Sequence, residues 1–383
     1  MNMTRRYFLQ STGALALYCG LSPLDILGQA GLNAGDIRPV SRGKTLVVVF
    51  LRGGLDGLNF IVPFKDPGYA ALRKSIKLGE PGTDNGVLDL DGFFGLNPRA
   101  STLQSLFQSG GAVALQAVGY DRNTRSHFEE QDVWETGVIG NTINSDGWLN
   151  RHLATSAGHG PVRAVSVGDN LPRILRGQAS AYALHGIADL SLPSLSRNDG
   201  VLMKAALEHA YCTPPHEHES SARDLLAQTG RTTLEGIEQI RKVADQPYTP
   251  ATPYPKGELA RRLQETARLI KADLGVEVVE IDYGGWDTHQ NQGGLAGNYG
   301  NLVQGLAEAI SAFHQDMGNR MKDVLLLTIS DFGRTAAENG TGGNRPWLGQ
   351  CHAGGRRKFN PRTKRKESPG VDRLARTKPR TAP

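Results

Sequence analysis

The hydrophobic pattern of the chain has two rhythms. Short apolar runs rich in β-branched residues occur at Lys44 to Leu51 (KTLVVVFL), Ala112 to Val118 (AVALQAV), Val162 to Val167, Val276 to Ile281 (VEVVEI) and Asp323 to Ile329 (DVLLLTI). Runs of this kind predict strands buried on both faces, as in a parallel sheet. Between them, leucine and alanine recur at three- and four-residue spacing over Ala100 to Ser109, Val201 to Tyr211, Ser220 to Ala244, Lys256 to Leu274 and Tyr299 to Met317. That spacing predicts amphipathic helices whose many charges are solvated faces. Strands alternating with helices define an α/β fold, with a mostly parallel central sheet flanked by helices.

In such folds the chemistry gathers where strands end and loops begin. The first run leads into Arg52-Gly53-Gly54-Leu55-Asp56-Gly57, where the glycines permit a tight turn and Asp56 sits just past the strand. A plain Asp-Gly turn is the bland reading of that stretch. The fourth run passes Gly284-Gly285 and sets Asp287 and His289 two residues apart in IDYGGWDTHQNQ. A carboxylate and an imidazole on one short loop can share a divalent cation, although a hydrogen-bonded polar turn would use the same residues. The last run delivers Ser330-Asp331-Phe332-Gly333-Arg334. Three strand ends therefore present Asp56, Asp287 with His289, and Asp331, and that recurrence predicts a shared metal site.

The second run ends in GYDRNTRSHFEEQDVWETG, where Ser126 precedes Glu129 by three positions. This is a capping-box spacing and predicts a helix starting at Ser126. Free amides and the positive end of the dipole would favour an anion there, which makes Arg125, Ser126 and His127 candidates to hold a phosphate or sulfate group. Ser126 is either a nucleophile or simply the cap.

Composition adds the setting. Arg5-Arg6 stands ahead of Tyr7-Phe8-Leu9 and a modestly apolar stretch that ends before Pro23, which resembles a twin-arginine export signal. A basic amphipathic helix is the alternative. The expected signal covers residues 1–34, with cleavage after Ala30 or Ala34. Its apolar stretch contains Gly13, Tyr18, Cys19 and Gly20, too short and mild for a stable membrane span. Tyr18 directly before Cys19 argues against lipid attachment. The implied partner is the twin-arginine export machinery, and the implied destination is the periplasm or cell envelope. The three cysteines, one of them in the signal, do not suggest a disulfide framework.

The net charge of +5 is misleading. Residues 344–383 carry 12 Lys/Arg against 2 Asp/Glu, which leaves 31 against 36 in residues 1–343. The basic character belongs to the tail, so no nucleic-acid partner is expected for the body of the protein.

The segments FLRGGLDGLNFIVP, RSHFEEQDVWETG, DGWLNR, GGWDTHQNQ and SDFGRT, in this order behind a twin-arginine signal, resemble the exported bacterial family named domain of unknown function 1501. The resemblance spans about residues 44–343. It implies an alkaline phosphatase/sulfatase-like domain over residues 40–343, with metal ligands at strand ends. It also implies Asp56, the pair Asp287 and His289, and Asp331 as ligands of a divalent ion; zinc, calcium and magnesium are all open. Phe332 stands where such proteins often carry His or Asn, which leaves a second metal without a ligand there. The implied activity is metal-dependent hydrolysis of a phosphate or sulfate ester on a small molecule or polymer, with Arg125, His127 and Arg334 on the substrate anion and Ser126 as the candidate nucleophile. A non-catalytic envelope protein that keeps the fold for binding or assembly is the alternative.

After Gly342-Gly343 the family pattern continues with Thr-Asp-His-Gly, whereas this chain reads Asn344-Arg345-Pro346-Trp347. Shifting the codons by one base lets Asn344 give Thr, Arg345 give Asp, and Pro346 with Trp347 give His, and Trp347 then forces Gly. Continued to Gly354, the shifted frame permits Leu-Gly-Asn-Ala-Met-Leu-Val. A single inserted base near codon 344 therefore accounts for the ending, and residues 344–383 are expected to be a disordered basic tail. On that account the domain is truncated, lacks closing strands and at least one ligand, binds metal poorly, and is in the extreme the inactive product of a damaged gene.

Overall fold

The computed structural model describes residues 43–120, 124–140, 145–156, 158, 160–189, 221–347 and 350–355. The export signal expected over 1–34, the helix expected at Val201 to Tyr211 and the tail beyond 355 lie outside the described residues. Among the described residues no helix is long and apolar enough to cross a membrane.

The main sheet contains β1 (Thr45–Leu51), β2 (Ala112–Val118), β3 (Ala164–Val167), β4 (Tyr182–Leu184), β5 (Val278–Tyr283), β6 (Val324–Ser330) and β7 (Gln350–Gly355). Its order is β2-β7-β6-β1-β5-β3-β4. The strands from β6 to β4 are parallel, and β7 runs antiparallel to β2 and β6. The α/β fold with a mostly parallel sheet is the one that the apolar runs predict.

β1 is the fourth of the seven strands in this order, between β6 and β5. Its alternate residues enter different cores, as the two-residue period of a strand requires. Val47, Val49 and Leu51 pack in one cluster with Leu263 and Ala267 of α4 (Glu258–Lys271) and Val303 and Phe313 of α5 (Asn298–Met317). Val48 and Phe50 pack in another with Ile174 and with Leu149 and Leu153 of α2 (Trp148–Thr155). A strand covered on both faces has no polar alternation, which is why VVVF is uniformly apolar. Two further helices of ten residues or more are α1 (His127–Thr136) and α3 (Ser221–Ala244).

Register then does the positioning. Leu51 of β1 lies opposite both Tyr283 of β5 and Ser330 of β6. The chains following the three strands therefore leave the sheet side by side.

Three expectations change. Ala112–Val118 is not a buried strand; among the described residues only β7 is hydrogen-bonded to it, and Leu115 is 53% exposed. The helix expected over Ala100 to Ser109 divides into a 3₁₀ turn, Pro98–Leu103, and a short helix, Gln104–Gln108. Asn97 caps the turn and Pro98 fixes its first residue, while Ala100 leaves the helical region. The disorder expected from residue 344 does not hold for its first residues, because Pro346–Trp347 pairs with Gly333–Arg334 and β7 enters the sheet.

One buried ion pair ties the loops below this sheet edge. Arg73 makes a bidentate contact with Asp56 at 2.6 and 2.8 Å, and both side chains are fully buried. Gln292 and Asn344 donate to the same carboxylate at 2.6 and 2.9 Å, and Arg73 also donates to the carbonyls of Thr335 and Ala336. Burial pushes the Asp56 pKa up, but the charge and hydrogen bonds of Arg73 outweigh it and leave the carboxyl below its ordinary range. Removing one partner strands the other charge in the interior. Arg73→Met should therefore lower the unfolding free energy by roughly 3–5 kcal/mol. Urea denaturation at neutral pH checks this; a loss below about 1 kcal/mol would show that the pair is not the anchor its burial indicates.

Candidate metal centre

The loop after β1 passes close beneath the loop after β5. A Cβ at Gly53 would stand 2.6 Å from the Asp287 amide nitrogen, and Gly53 has φ +116°, so only glycine fits. Gly53 and Gly54 turn their amides onto Asp331, with Oδ1 accepting at 3.1 and 2.6 Å. Asp331 is completely buried. Its Oδ2 meets His127 Nδ1 at 2.5 Å and accepts from Gln131 Nε2 at 3.2 Å. Burial raises the Asp331 pKa, and the bond and charge of His127 outweigh that and bring it below the ordinary carboxylate range.

His127 arrives from the first position of α1, which Ser126 caps. The Ser126 hydroxyl accepts from the Glu129 amide at 3.5 Å, so the capping role read from the sequence is the contact observed. Arg125 is exposed and sits in the left-handed region at φ +64°. The His127 ring packs on buried Phe332 with centroids 4.5 Å apart. The hydrogen bond to Asp331 raises its pKa, with burial opposing and the charges of Asp331 and Asp287 assisting.

His127 Nε2 is buried, makes no hydrogen bond and lies 3.4 Å from Asp287 Oδ1. His289 Nε2 reaches the same oxygen at 2.8 Å. The other nitrogen of His289, Nδ1, is 3.1 Å from the Asn344 carbonyl and 3.4 Å from Arg334 Nη1. Ligand atoms of His127, Asp287 and His289 all lie within 4.8 Å of one another. Each imidazole thus turns one nitrogen to an acceptor and the other to the cluster, the arrangement in which histidine binds a metal. Two imidazoles and a carboxylate, part-exposed on the outer side, suit a three-ligand site of the zinc type with an open position. The Nε2 atoms of His127, which makes no hydrogen bond through it, and of His289 converge on Asp287 Oδ1, the arrangement a shared cation would use.

The sequence-derived site is thus rearranged. Asp287 and His289 are together, and His127, expected on the substrate anion, joins them as the third donor. Asp331 stands behind His127 as its acceptor, enclosed by donors. Asp56 lies outside the cluster, engaged by Arg73, Gln292 and Asn344. Arg334 is buried; its Nη2 donates to Asp287 Oδ1 at 2.7 Å and to the Trp286 carbonyl at 3.1 Å, and its Nε to the Gly54 carbonyl at 2.7 Å.

Sequence reasoning missed a second ionic group beside the first. Arg52 donates to Asp282 at 2.5 Å and to Glu135 at 2.6 Å, and Ser166 donates to Glu280 at 3.1 Å. Glu280 is fully buried in β5, and its Oε1 has no hydrogen-bond partner. Burial above all, then the negative charge of Asp282, pushes its pKa well above the ordinary glutamate range, with Arg52 opposing. The signal was available: a glutamate inside VVEI has no water to ionise into.

The chain matches the family described as "Protein of unknown function (DUF1501)" over residues 105–345. No curated protein matches it. Among solved structures it is similar to one titled "Crystal structure of the C-terminal periplasmic domain of EcEptC from Escherichia coli- complex with Zn". That likeness has 10% identity, covers 83% of this chain and 76% of that one, and has a TM-score of 0.36.

Glu280 yields a test by linkage. The unfolded chain loses this proton near the ordinary glutamate value, whereas the folded protein keeps it to a higher pH. Folding therefore binds a proton in that window, and the contribution to stability falls as pH rises through it. Glu280→Gln, which mimics the neutral acid, should flatten that decline and leave the variant more stable than the parent at about pH 8. Unfolding curves across pH decide it; parallel profiles for the two proteins would mean that Glu280 is ionised in the fold.

Proposed function

The chain belongs to the DUF1501 family, and from that premise and the cluster above we propose that it is an exported metal-dependent hydrolase acting on phosphate or sulfate esters. The observation that carries the reading is the unpartnered His127 Nε2 facing Asp287 and His289. His127, Asp287 and His289 would hold the ion. Imidazole donors favour zinc over calcium or magnesium, which prefer all-oxygen shells. A bound divalent ion lowers the pKa of water and neutralises charge developing on the ester oxygens.

The chain's own residues supply the rest. Asp331 and the Asn344 carbonyl orient the two imidazoles. Arg334 brings a fixed positive charge to the cluster, with Nη2 2.7 Å from Asp287 Oδ1, and that charge would favour a tetrahedral anion bound beside the ion. Arg125 directly precedes Ser126, the cap of the helix that brings His127, and the two would serve as substrate-anion residue and candidate nucleophile. Export rests on the Arg5-Arg6 segment. All three donors precede residue 344, so metal binding on this reading does not require the Asp-His-Gly turn that the shifted frame would restore.

Zinc should bind the purified protein with one-to-one stoichiometry, and aryl phosphate or aryl sulfate hydrolysis should depend on it. Asp287→Ala should reduce both by at least about 100-fold while the circular dichroism spectrum is retained. A parent protein that binds no zinc at micromolar concentration, or an Asp287→Ala variant with full activity, would overturn the proposal.

A further inference from the structure

Helix α1 meets the metal centre along one face. His127, Gln131, Trp134 and Glu135 are spaced so that their side chains point the same way. Trp134 Nε1 donates to the Asp331 carbonyl at 2.8 Å, and Gln131 Nε2 donates to the Asp331 carboxylate. The other end of the Gln131 amide accepts from Arg52 Nη1 at 3.1 Å. Arg52 itself is held by Glu135, by Asp282 and by the face of Phe50, 4.0 Å from the ring centroid.

The direction of each bond in this series is fixed by chemistry. A guanidinium has donors only, so the Gln131 oxygen must face Arg52. The Gln131 amide nitrogen must then face Asp331. An ionised Asp331 can only accept, so the nitrogen of His127 that meets it carries a hydrogen. In the neutral imidazole Nε2 is then the lone-pair atom, and it faces the cluster.

We infer that Gln131, oriented by Arg52, is a positioning residue that fixes the Asp331 carboxylate and through it the tautomer and aim of His127. The inference rests on the metal reading above for its consequence, but the polarity of the hydrogen bonds stands on the metal-free protein. Gln131 touches no reacting atom. Its part is to supply the donor that keeps the Asp331 carboxylate turned to His127, so that the imidazole need not reorient when it takes a ligand.

The test uses the full chain. Gln131→Met keeps length and removes both hydrogen bonds; Gln131→Glu keeps the acceptor for Arg52 and removes the donor to Asp331. Both should weaken zinc binding roughly 10- to 100-fold, measured by competition with a chromophoric chelator. Nitrogen-15 spectra of the metal-free protein, with His127 assigned against His127→Gln, should show Nδ1–H in the parent and a mixture of tautomers in both variants. Unchanged zinc affinity and an unchanged His127 tautomer in either folded variant overturn the inference. If the parent binds no zinc, the proposed function fails, and the tautomer spectra still decide the role of Gln131. Should Gln131→Met not fold, Gln131→Glu gives the same reading, because the Arg52 contact is retained.

Discussion

The buried carboxylate of Asp331 is the constraint on which the centre depends. A charge with no water around it must be surrounded by donors, and each donor fixes the segment that brings it. The amides of Gly53 and Gly54 come from the loop after β1, the Ser330 hydroxyl from the end of β6, and His127 and Gln131 from α1. One anion thus joins two adjacent strand ends to the start of a helix that lies about 200 residues away in sequence. The in-register ends of β1, β5 and β6 make this economical, because the loops are already neighbours before any side chain is placed.

Depth within the site follows role. Asp331, Asp56 and Arg73 are wholly buried, whereas the side chains of His127, His289 and Asp287 are 27%, 43% and 46% exposed. The buried groups are saturated by neighbours and hold the loops; the part-exposed groups have ligand atoms that converge. Arg334 belongs to both layers, with its guanidinium bonded to loop carbonyls on one side and to Asp287 on the other. It holds Asp287 against the backbone of its own loop and supplies the positive charge that this carboxylate faces.

The strands were legible because a segment buried on both faces has to be apolar throughout, and the runs at Thr45–Leu51 and Val324–Ser330 are. The strand ends were legible for the same reason, since Asp287, His289 and Asp331 interrupt apolar sequence abruptly. Their division of labour was not. Asp331 and Asp287 look alike in sequence, and what separates them is whether donors from other segments reach them first. Asp56 is the clearest instance: its partner Arg73 stands in a Pro/Gly-rich stretch with no periodicity to mark it, so the ion pair that removes Asp56 from the cluster could not be read. His127 could have been placed more closely. The spacing of His127, Gln131, Trp134 and Glu135 marks a polar helix face, and a polar face that starts at a strand end points toward the site.

The stretch after Gly343 bears on the centre from behind rather than within it. Asn344 donates to Asp56 through its side chain, and its carbonyl faces His289 Nδ1. The Gly343 Cα packs so closely that a Cβ there would lie 2.4 Å from the His289 carbonyl, and Asn339 donates to that same carbonyl at 2.7 Å. Residues 339–344 therefore form a cradle under the His289 loop. Of the contacts Asn344 makes, the one to His289 uses only the backbone and does not depend on the residue type at 344. The one to Asp56 does depend on it, since an amide donor satisfies the fourth contact of a buried carboxylate. A different residue at 344 would consequently leave the orientation of His289 intact and act first on the Asp56–Arg73 pair, that is, on the stability of the loops rather than on the ligand set.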